Sequence, residues 1–424
     1  MSGPLSHIRV VEMGAAIQGP AAGLYLRDMG AEVIKIEPPT GDANRGFRGV
    51  NNDLPPETFG SQFIAMNRGK KSVCLDVHTA LGLKAVLALI QRADVFVSNY
   101  RESALIRMGL AYETVSADNP SLIYALGNGF GPRGPDADKT MLDGAAIARG
   151  GLASMTGSED TGPIPPGATI ADTGGGLLLA LAITTALAAR AEIGKGQKVQ
   201  SSALGAQLWL QMWELTHVWM TGSLLKPGGA HHENLRGPYG VYRTADGGHF
   251  FFAAAQSNES WDEFWVFVDD PAEALNPKWS DPSKRFGIGI TAADAREIQA
   301  RMREAFLTKT TAEWQAFLSA QPEIVSEYVQ NYDEVRRDPQ VVANDYVEPM
   351  NIDGIGETAI VGNLVSFSET PASTKGAPPG LGADTAAVLQ EIGLTKSETD
   401  QVIKDATERR NGLLGNLAAI QSDS

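Results

Sequence analysis

Apolar positions in the first two hundred residues fall into short continuous runs separated by amphipathic stretches. IRVVEM (8–13), AEVIKIE (31–37), SVCLDV (72–77), DVFVSNY (94–100) and SLIYALGN (121–128) read as strands. Continuous rather than alternating apolarity is the mark of strands covered on both faces. Between them PAAGLYLRDMG (20–30), LGLKAVLALIQRA (81–93) and ESALIRMG (102–109) space their apolar residues as helices do. The first opens with proline and stops at glycine, the asymmetry of a short helix. Strand, helix, strand in this order predicts a parallel sheet in an open α/β domain. A softer helical segment covers 142–157, interrupted by Gly150 and Gly151, and a long oily helix spans Gly174 to Ala191 before GKGQ (194–197).

An aromatic-rich helix is expected over 203–222. The polar, Gly/Pro-rich stretch 223–237 follows and reads as a linker. VYRTADGGHFFFAAA (241–255) predicts two strands around ADGG, and helices are expected at 258–268 and 292–307. Thr310 and Glu313 form a capping box ahead of AEWQAFLSA. These elements make a small α/β domain at 238–330, set apart from the large domain of 1–222. Beyond it, 331–424 carries an alternating run, TAIVGNLVSFS (358–368), and helices at 384–392 and 397–408; the tail from Asn411 is expected to be loosely held.

Charge and composition narrow the partners. The formal charge is -15, which argues against nucleic acid. One cysteine, Cys74, excludes a disulfide framework and any cysteine-based metal site, and points to a reducing, cytoplasmic setting. The six histidines are scattered, so no metal site is expected. The first residues lack the basic segment and oily core of a secretion signal. The oiliest run, LLLALAITTALAA (177–189), falls short of the roughly 20 residues that cross a bilayer, so no membrane partner is expected.

GFGPRG (129–134) matches the spacing of a dinucleotide fingerprint. That motif works only where a helix opens on its glycines. Here Pro132 and Pro135 follow and no helix is expected before about 142, so the match is weak support for an NAD-dependent dehydrogenase. Asp172, in PPGATIADTGGGLLLA (165–180), is the carboxylate with the most constrained setting. It sits before three glycines and an oily helix, where backbone N–H groups stabilise an anion and bare backbone admits a bulky ligand. Local features leave two readings open: a helix cap, for which aspartate is well suited, or chemistry.

The order of longer motifs brings in a resemblance. HIRVVEMGAAIQGPAAGLYLRDMGAEVIKIEPPTGD (7–42), MNRGKKSVCLDV (66–77), DVFVSNYRESALIRMGL (94–110), GFGPRGP (129–135), GKGQKV (194–199), PYGVYRTADG (238–247), TKTTAEWQAFLSA (308–320) and PPGLG (378–382) together resemble the class III coenzyme A transferases. That group includes formyl-CoA:oxalate and carnitine CoA transferases and, more distantly, the α-methylacyl-CoA racemases. The resemblance implies a large Rossmann-like α/β domain with an open parallel sheet, a small α/β domain, and two chains interlocked as a homodimer; pairs of unlike subunits are the alternative. It implies acyl-CoA and an organic acid as substrates, with no tightly bound cofactor. Asp172 matches the covalent nucleophile, which passes CoA through an aspartyl anhydride and an aspartyl-CoA thioester. Gln18 matches the glutamine that contacts the reacting acyl group, and Asp143 a polar position beside the site. Arg45, Arg68, Lys70, Lys71 and Arg101 are the cations available to the CoA phosphates in this region.

The sequence also departs from the family. The racemases place a histidine immediately before the position of Asp143, and this chain has Leu142 there. Leucine carries no proton, which favours acyl-CoA transfer over racemisation. An inactive CoA-binding subunit is a third reading, and the retention of Asp172 weighs against it. QPEIVSEYVQNYDEV (321–335) replaces a shorter Gly/Pro-rich turn, LGAD (381–384) stands where relatives read LGEH, and HHENLRGPYG (231–240) lacks the glycine run of a lid. The three tryptophans of WLQMWELTHVWM (209–220) suit core packing, a dimer interface or a wall of the acyl site.

Overall fold

A computed structural model describes residues 3–49, 51–55 and 57–422, with 415–422 as backbone alone. The five apolar runs and one later segment form a single six-stranded sheet. Its strands are β1 (Arg9–Met13), β2 (Glu32–Glu37), β3 (Lys71–Cys74), β4 (Val95–Ser98), β5 (Ile123–Asn128) and β6 (Lys198–Ser202). They are ordered β3-β2-β1-β4-β5-β6, and every neighbouring pair is parallel. Successive side chains alternate between faces. Val11, Ile34, Phe96 and Tyr124 join one core cluster, and Val10, Val33, Val95 and Ile123 join another.

Helices cover both faces. The first cluster is completed by α3 (Ala80–Gln91) and, from the far end of the chain, by Val388, Leu389 and Val402. The second is completed by α1 (Gln18–Asp28) and the long helix Ile170–Ile193. Shorter helices are α2 (Ser61–Asn67), α4 (Glu102–Arg107), α5 (Tyr112–Asp118) and α6 (Asp143–Arg149). Numbering the long helix α7, α8 is Ala203–Leu210. The close fit of α7 on α1 needs glycine. A Cβ on Gly176 would lie 2.7 Å from the Ala21 Cβ, and one on Gly175 would lie 2.6 Å from Gln18 Nε2. Gln18, at the start of α1, and the first turn of α7 are thereby brought side by side.

Compactness divides the chain into residues 1–150, 167–210 and 338–424 as one unit, and 151–166 and 211–337 as the other. The sequence reading places its divisions at 222, 238 and 330. The second unit holds an antiparallel sheet of Gly240–Arg243, His249–Ala255 and Ile324–Tyr328. The last strand lies within the segment that departs from the family pattern. Trp261, Trp265, Trp279 and Trp314 are its largest buried side chains. The Thr310–Glu313 capping box is formed.

Four expectations are corrected. The helix over 203–222 is two, Ala203–Leu210 and Met212–Thr221, broken where the units divide. Trp209, Trp213 and Trp219 are exposed, so they do not fill a core within this chain. The tail is helical, as part of Lys396–Ser422, and Asp423 and Ser424 lie outside the described residues. Finally, α7 begins at Ile170 and has 24 residues, which by length and composition suffices to cross a bilayer. One face of it packs on the domain: Leu179, Ala180, Ile183 and Ala186 are buried against α1 and the sheet, while Leu177 and Leu181 are exposed.

A cluster of buried charges sits at the C-terminal end of β1. Lys35 Nζ lies 3.0 Å from Glu12 Oε1 and 3.2 Å from Asp42, and Lys70 Nζ lies 2.6 Å from Glu12 Oε2. The side chains of Glu12, Lys35 and Lys70 are wholly excluded from solvent. Desolvation opposes the charge on Glu12, yet the two ammonium groups hold its carboxyl below the ordinary range. Removing one member of such a set leaves uncompensated buried charge. Glu12→Ala should therefore cost about 3–5 kcal/mol in unfolding free energy. Urea denaturation at neutral pH measures this, and a loss below about 1 kcal/mol would contradict the energetic role given to the cluster.

Candidate active site

The strand order reverses between β1 and β4. In open α/β sheets the crevice beyond the strand C-termini at such a point is the usual ligand site. A cavity of about 260 Å³ opens there, walled by the ends of β1, β4 and β5 and by the 129–142 loop. Gln18 and Asp172 both line it.

The turn between β1 and α1 is held from two sides. The Asn99 amide accepts from Ala15 N at 3.0 Å and donates to Ala15 O at 2.8 Å. Lys35 donates to Gly14 O at 2.9 Å and Lys70 to Pro20 O at 2.8 Å. Within this turn Ala16 has φ 61°, a left-handed conformation that costs an alanine roughly 1 kcal/mol and recurs at functional sites. Gln18 follows, almost fully buried, its amide donating to Asn128 O at 3.2 Å.

Asp172 is the third residue of α7, not the residue that caps it. The helix start is stabilised from outside: Asp143 Oδ1 accepts from Ala171 N at 2.8 Å and from Asp172 N at 3.0 Å. Thr169, at the N-cap, contributes no side-chain bond. Asp143 thus takes the favourable position at the helix N-terminus. Asp172 is left partly buried beside another carboxylate, with no hydrogen bond to its own carboxylate oxygens among the described residues. Burial, and then the charge of Asp143, push its pKa up to about 6. The expectation that the helix start alone stabilises the Asp172 anion is corrected, because Asp143 has claimed those N–H groups.

The five cations from the sequence are dispersed. Arg45 makes a bidentate pair with Glu37 at 2.7 and 2.6 Å and lies 3.9 Å over the Phe63 ring. Arg68 is buried against Asp28 at 2.6 Å. Lys70 belongs to the enclosed cluster on Glu12, and Lys71 pairs with Glu32 across the β2–β3 edge. Arg101 alone of the five lines the cavity, where it bonds Thr140. Lys139 lines it too. Lys139, in DADKT (136–140), is not among the cations expected from the sequence. The sequence reading also missed Asn99 and Asn128, whose only local signal is an asparagine at the end of a strand run. GFGPRG is followed by loop, with no helix before Asp143. A second cavity, of about 200 Å³, includes Pro38, Pro39, His78 and Arg409 and shares Tyr100 with the first.

The raised Asp172 pKa has a consequence for stability. An ordinary carboxyl ionises at about 3.9 in the unfolded chain. The folded protein therefore binds this proton more tightly, and stability declines as pH rises from about 4 to about 6, then levels off. Asp172→Asn removes that cost. It should stabilise the protein by about 1–2 kcal/mol at pH 8, after discounting for partial exposure, and leave it unchanged at pH 4. Thermal unfolding at the two pH values measures the difference; equal effects at both would contradict the electrostatic account.

Comparison with known proteins agrees with this architecture. Residues 5–385 match CoA-transferase family III. The succinyl-CoA:glutarate CoA-transferase of Mus musculus is 30% identical, over 92% of this chain and 86% of that one. The cinnamoyl-CoA:phenyllactate CoA-transferase of Clostridium sporogenes is 28% identical, over 94% and 96%. A CAIB/BAIF family protein from Brucella suis superposes with a TM-score of 0.81 at 28% identity, covering 92% of this chain and all of that one. With its six-stranded parallel sheet and a match over most of its length, the chain belongs to CoA-transferase family III.

Proposed function

We propose that this chain moves CoA from a donor acyl-CoA to a free carboxylic acid through covalent intermediates on Asp172. One observation carries the reading: a partly buried carboxylate with a raised pKa, free of hydrogen bonds to its oxygens among the described residues, stands in a cavity beside Gln18. At pH 7 a group with a pKa of about 6 is largely ionised, so it needs no general base. Its basicity and incomplete solvation favour attack on carbon.

In the proposed sequence, an Asp172 oxygen bonds to the thioester carbon. Collapse breaks the C–S bond, the electron pair leaves on sulfur, and an anhydride remains. The thiolate then attacks the aspartyl carbonyl, which gives aspartyl-CoA and releases the donor acid. The acceptor carboxylate attacks that thioester, and the thiolate finally takes the new acyl group. Acyl activation is conserved throughout. Gln18 is placed to donate to developing charge on the acyl oxygen. Arg101 and Lys139 supply positive charge at the cavity for the anionic CoA, and the adjoining cavity beyond Tyr100 suits the far end of so long a ligand. Arg45, Arg68, Lys70 and Lys71 are given internal pairing instead. Racemisation is disfavoured because no described histidine lines the cavity and Leu142 forms part of its wall.

The chemistry has a direct test. The protein is incubated with acetyl-CoA and with succinyl-CoA and cinnamoyl-CoA, the donors in the relatives' names, then trapped with hydroxylamine or borohydride. Peptide mass should place the label on Asp172, and Asp172→Ala should abolish both label and transfer. Exchange of the α-proton in deuterated water without any transfer would reverse the choice between transferase and racemase.

A homodimer is proposed on two features of the first unit. Leu177 and Leu181 on α7 are each 60% exposed. An apolar cavity of about 610 Å³ includes Leu24, Met29, Ile64, Leu177, Ile352 and Ile360. Exposed apolar side chains beside an apolar groove support a subunit interface on this face. Sedimentation equilibrium should give twice the 45.0 kDa chain mass, and Leu181→Glu should shift the population toward monomer. A monomer at micromolar concentration would remove the proposal.

A further inference from the structure

The end of β5 presents a polar group that the mechanism above does not use. Asn128 is the last residue of the strand and lines the cavity with Gln18 and Asp172. Its backbone is fixed in the sheet opposite Ser202 of β6, and its carbonyl receives the Gln18 amide. Its side chain is fixed as well: Oδ1 accepts from Gly131 N at 2.7 Å. That bond determines which end of the amide is which, since a backbone N–H requires the oxygen. The other end, Nδ2, is buried and has no hydrogen-bond partner among the described residues.

A buried amide donor without a partner is unfavourable. Asn128 cannot relieve this by turning its amide over, because Gly131 N would then lose its acceptor. Asn128 lines the cavity, and its unpaired donor is packed at that wall with almost no exposure of its own, held by the strand on one side and by the glycine loop on the other. Gln18 reaches the same wall through the Asn128 carbonyl, so the two amides form one rigid assembly.

We propose that Asn128 Nδ2 donates a hydrogen bond to the acyl carbonyl oxygen of the bound CoA thioester, as a second donor beside Gln18. The inference rests on the covalent route through Asp172. When the Asp172 oxygen bonds to the thioester carbon, the carbonyl π electrons move onto oxygen. Asn128 and Gln18 stabilise that charge until the C–S bond breaks and the electrons return. No proton is transferred by either amide. A donor aimed at an oxyanion is worth more in the transition state than in the ground state.

Asn128→Ala is the discriminating variant, because it removes the N–H without adding the negative charge that an aspartate would place in the cavity of Asp172. With the donor that labels Asp172 in the wild type, kcat/KM should fall about 100- to 1,000-fold, mostly in kcat, with the donor KM within threefold. Asn128→Leu should show a comparable loss and carries the test if the first variant does not fold. A purely structural role makes a different forecast: losing the Gly131 contact would loosen the loop and raise the donor KM while kcat stayed within threefold. A folded variant with kcat within threefold of the wild type overturns the inference and leaves the transfer reading standing. A wild type that transfers no CoA from any donor of the panel overturns both.

Discussion

The active end of the sheet depends on the pairing of one buried carboxylate, Glu12, with two buried ammonium groups. Lys35 comes from β2 and Lys70 from the segment before β3. Lys35 also holds the Gly14 carbonyl of the β1–α1 turn, and Lys70 the Pro20 carbonyl in the first turn of α1. The charges bind strand ends together and fix the path of the turn that delivers Gln18. An apolar core of the same volume could be equally stable, but it could not hold those carbonyls. The cluster constrains sequence as well: a Cβ on Gly23 would lie 2.0 Å from Glu12 Oε2. From this point the geometry passes outward, through Glu37 to Arg45 on one side, and along α1 to the glycines of α7 on the other.

The second constraint is electrostatic. A helix start offers stabilisation to one anion, and in this fold two carboxylates compete for it. Asp143 wins because its oxygen reaches the N–H groups of residues 171 and 172. Asp172 is the third residue of the helix, and its own N–H is one of those two donors. On the proposed reading, the arrangement separates two functions that a single aspartate would combine badly. A capping carboxylate is stabilised by the bonds it accepts and loses nucleophilicity in proportion, while a nucleophile benefits from being less well solvated. The folded chain therefore carries an anion it would be more stable without. Such stability costs are characteristic of active sites.

This division of labour explains what was legible in the sequence. Five strands of the sheet were readable because strands covered on both faces are continuously apolar; the sixth, the half-buried and polar Lys198–Ser202, was not, and the strand order comes from the structure. Asp172 could be singled out locally but not assigned, since a cap and a nucleophile share the same neighbourhood of small residues. The contact that takes the capping position comes from Asp143, 29 residues earlier, and no local pattern contains it. The start of α7 was misplaced for the same reason: the glycines at 174–176 read as a boundary, while the actual start is sustained by that distant carboxylate. The cations show the converse. NRGKKS looks like an anion-binding patch, yet Lys70 is bound to a glutamate 58 residues away. Adjacency of charges along a chain says little about what faces them in the fold.

The wall of the cavity bears on why this member of the family should transfer an acyl group rather than move a proton. Leu142 is 77% exposed and lines the cavity, immediately before Asp143. A titratable ring at that position would stand beside the substrate with the next residue's carboxylate already committed to the helix. The leucine instead contributes an apolar surface and leaves Asp172 as the cavity-lining carboxylate with a raised pKa. Proton removal next to a thioester needs a base within reach of the α-carbon. Acyl transfer needs an anion within reach of the carbonyl carbon and donors at its oxygen. Asp172, Gln18 and Asn128 meet the second requirement in residue type, and the wall at 142 does not supply the first.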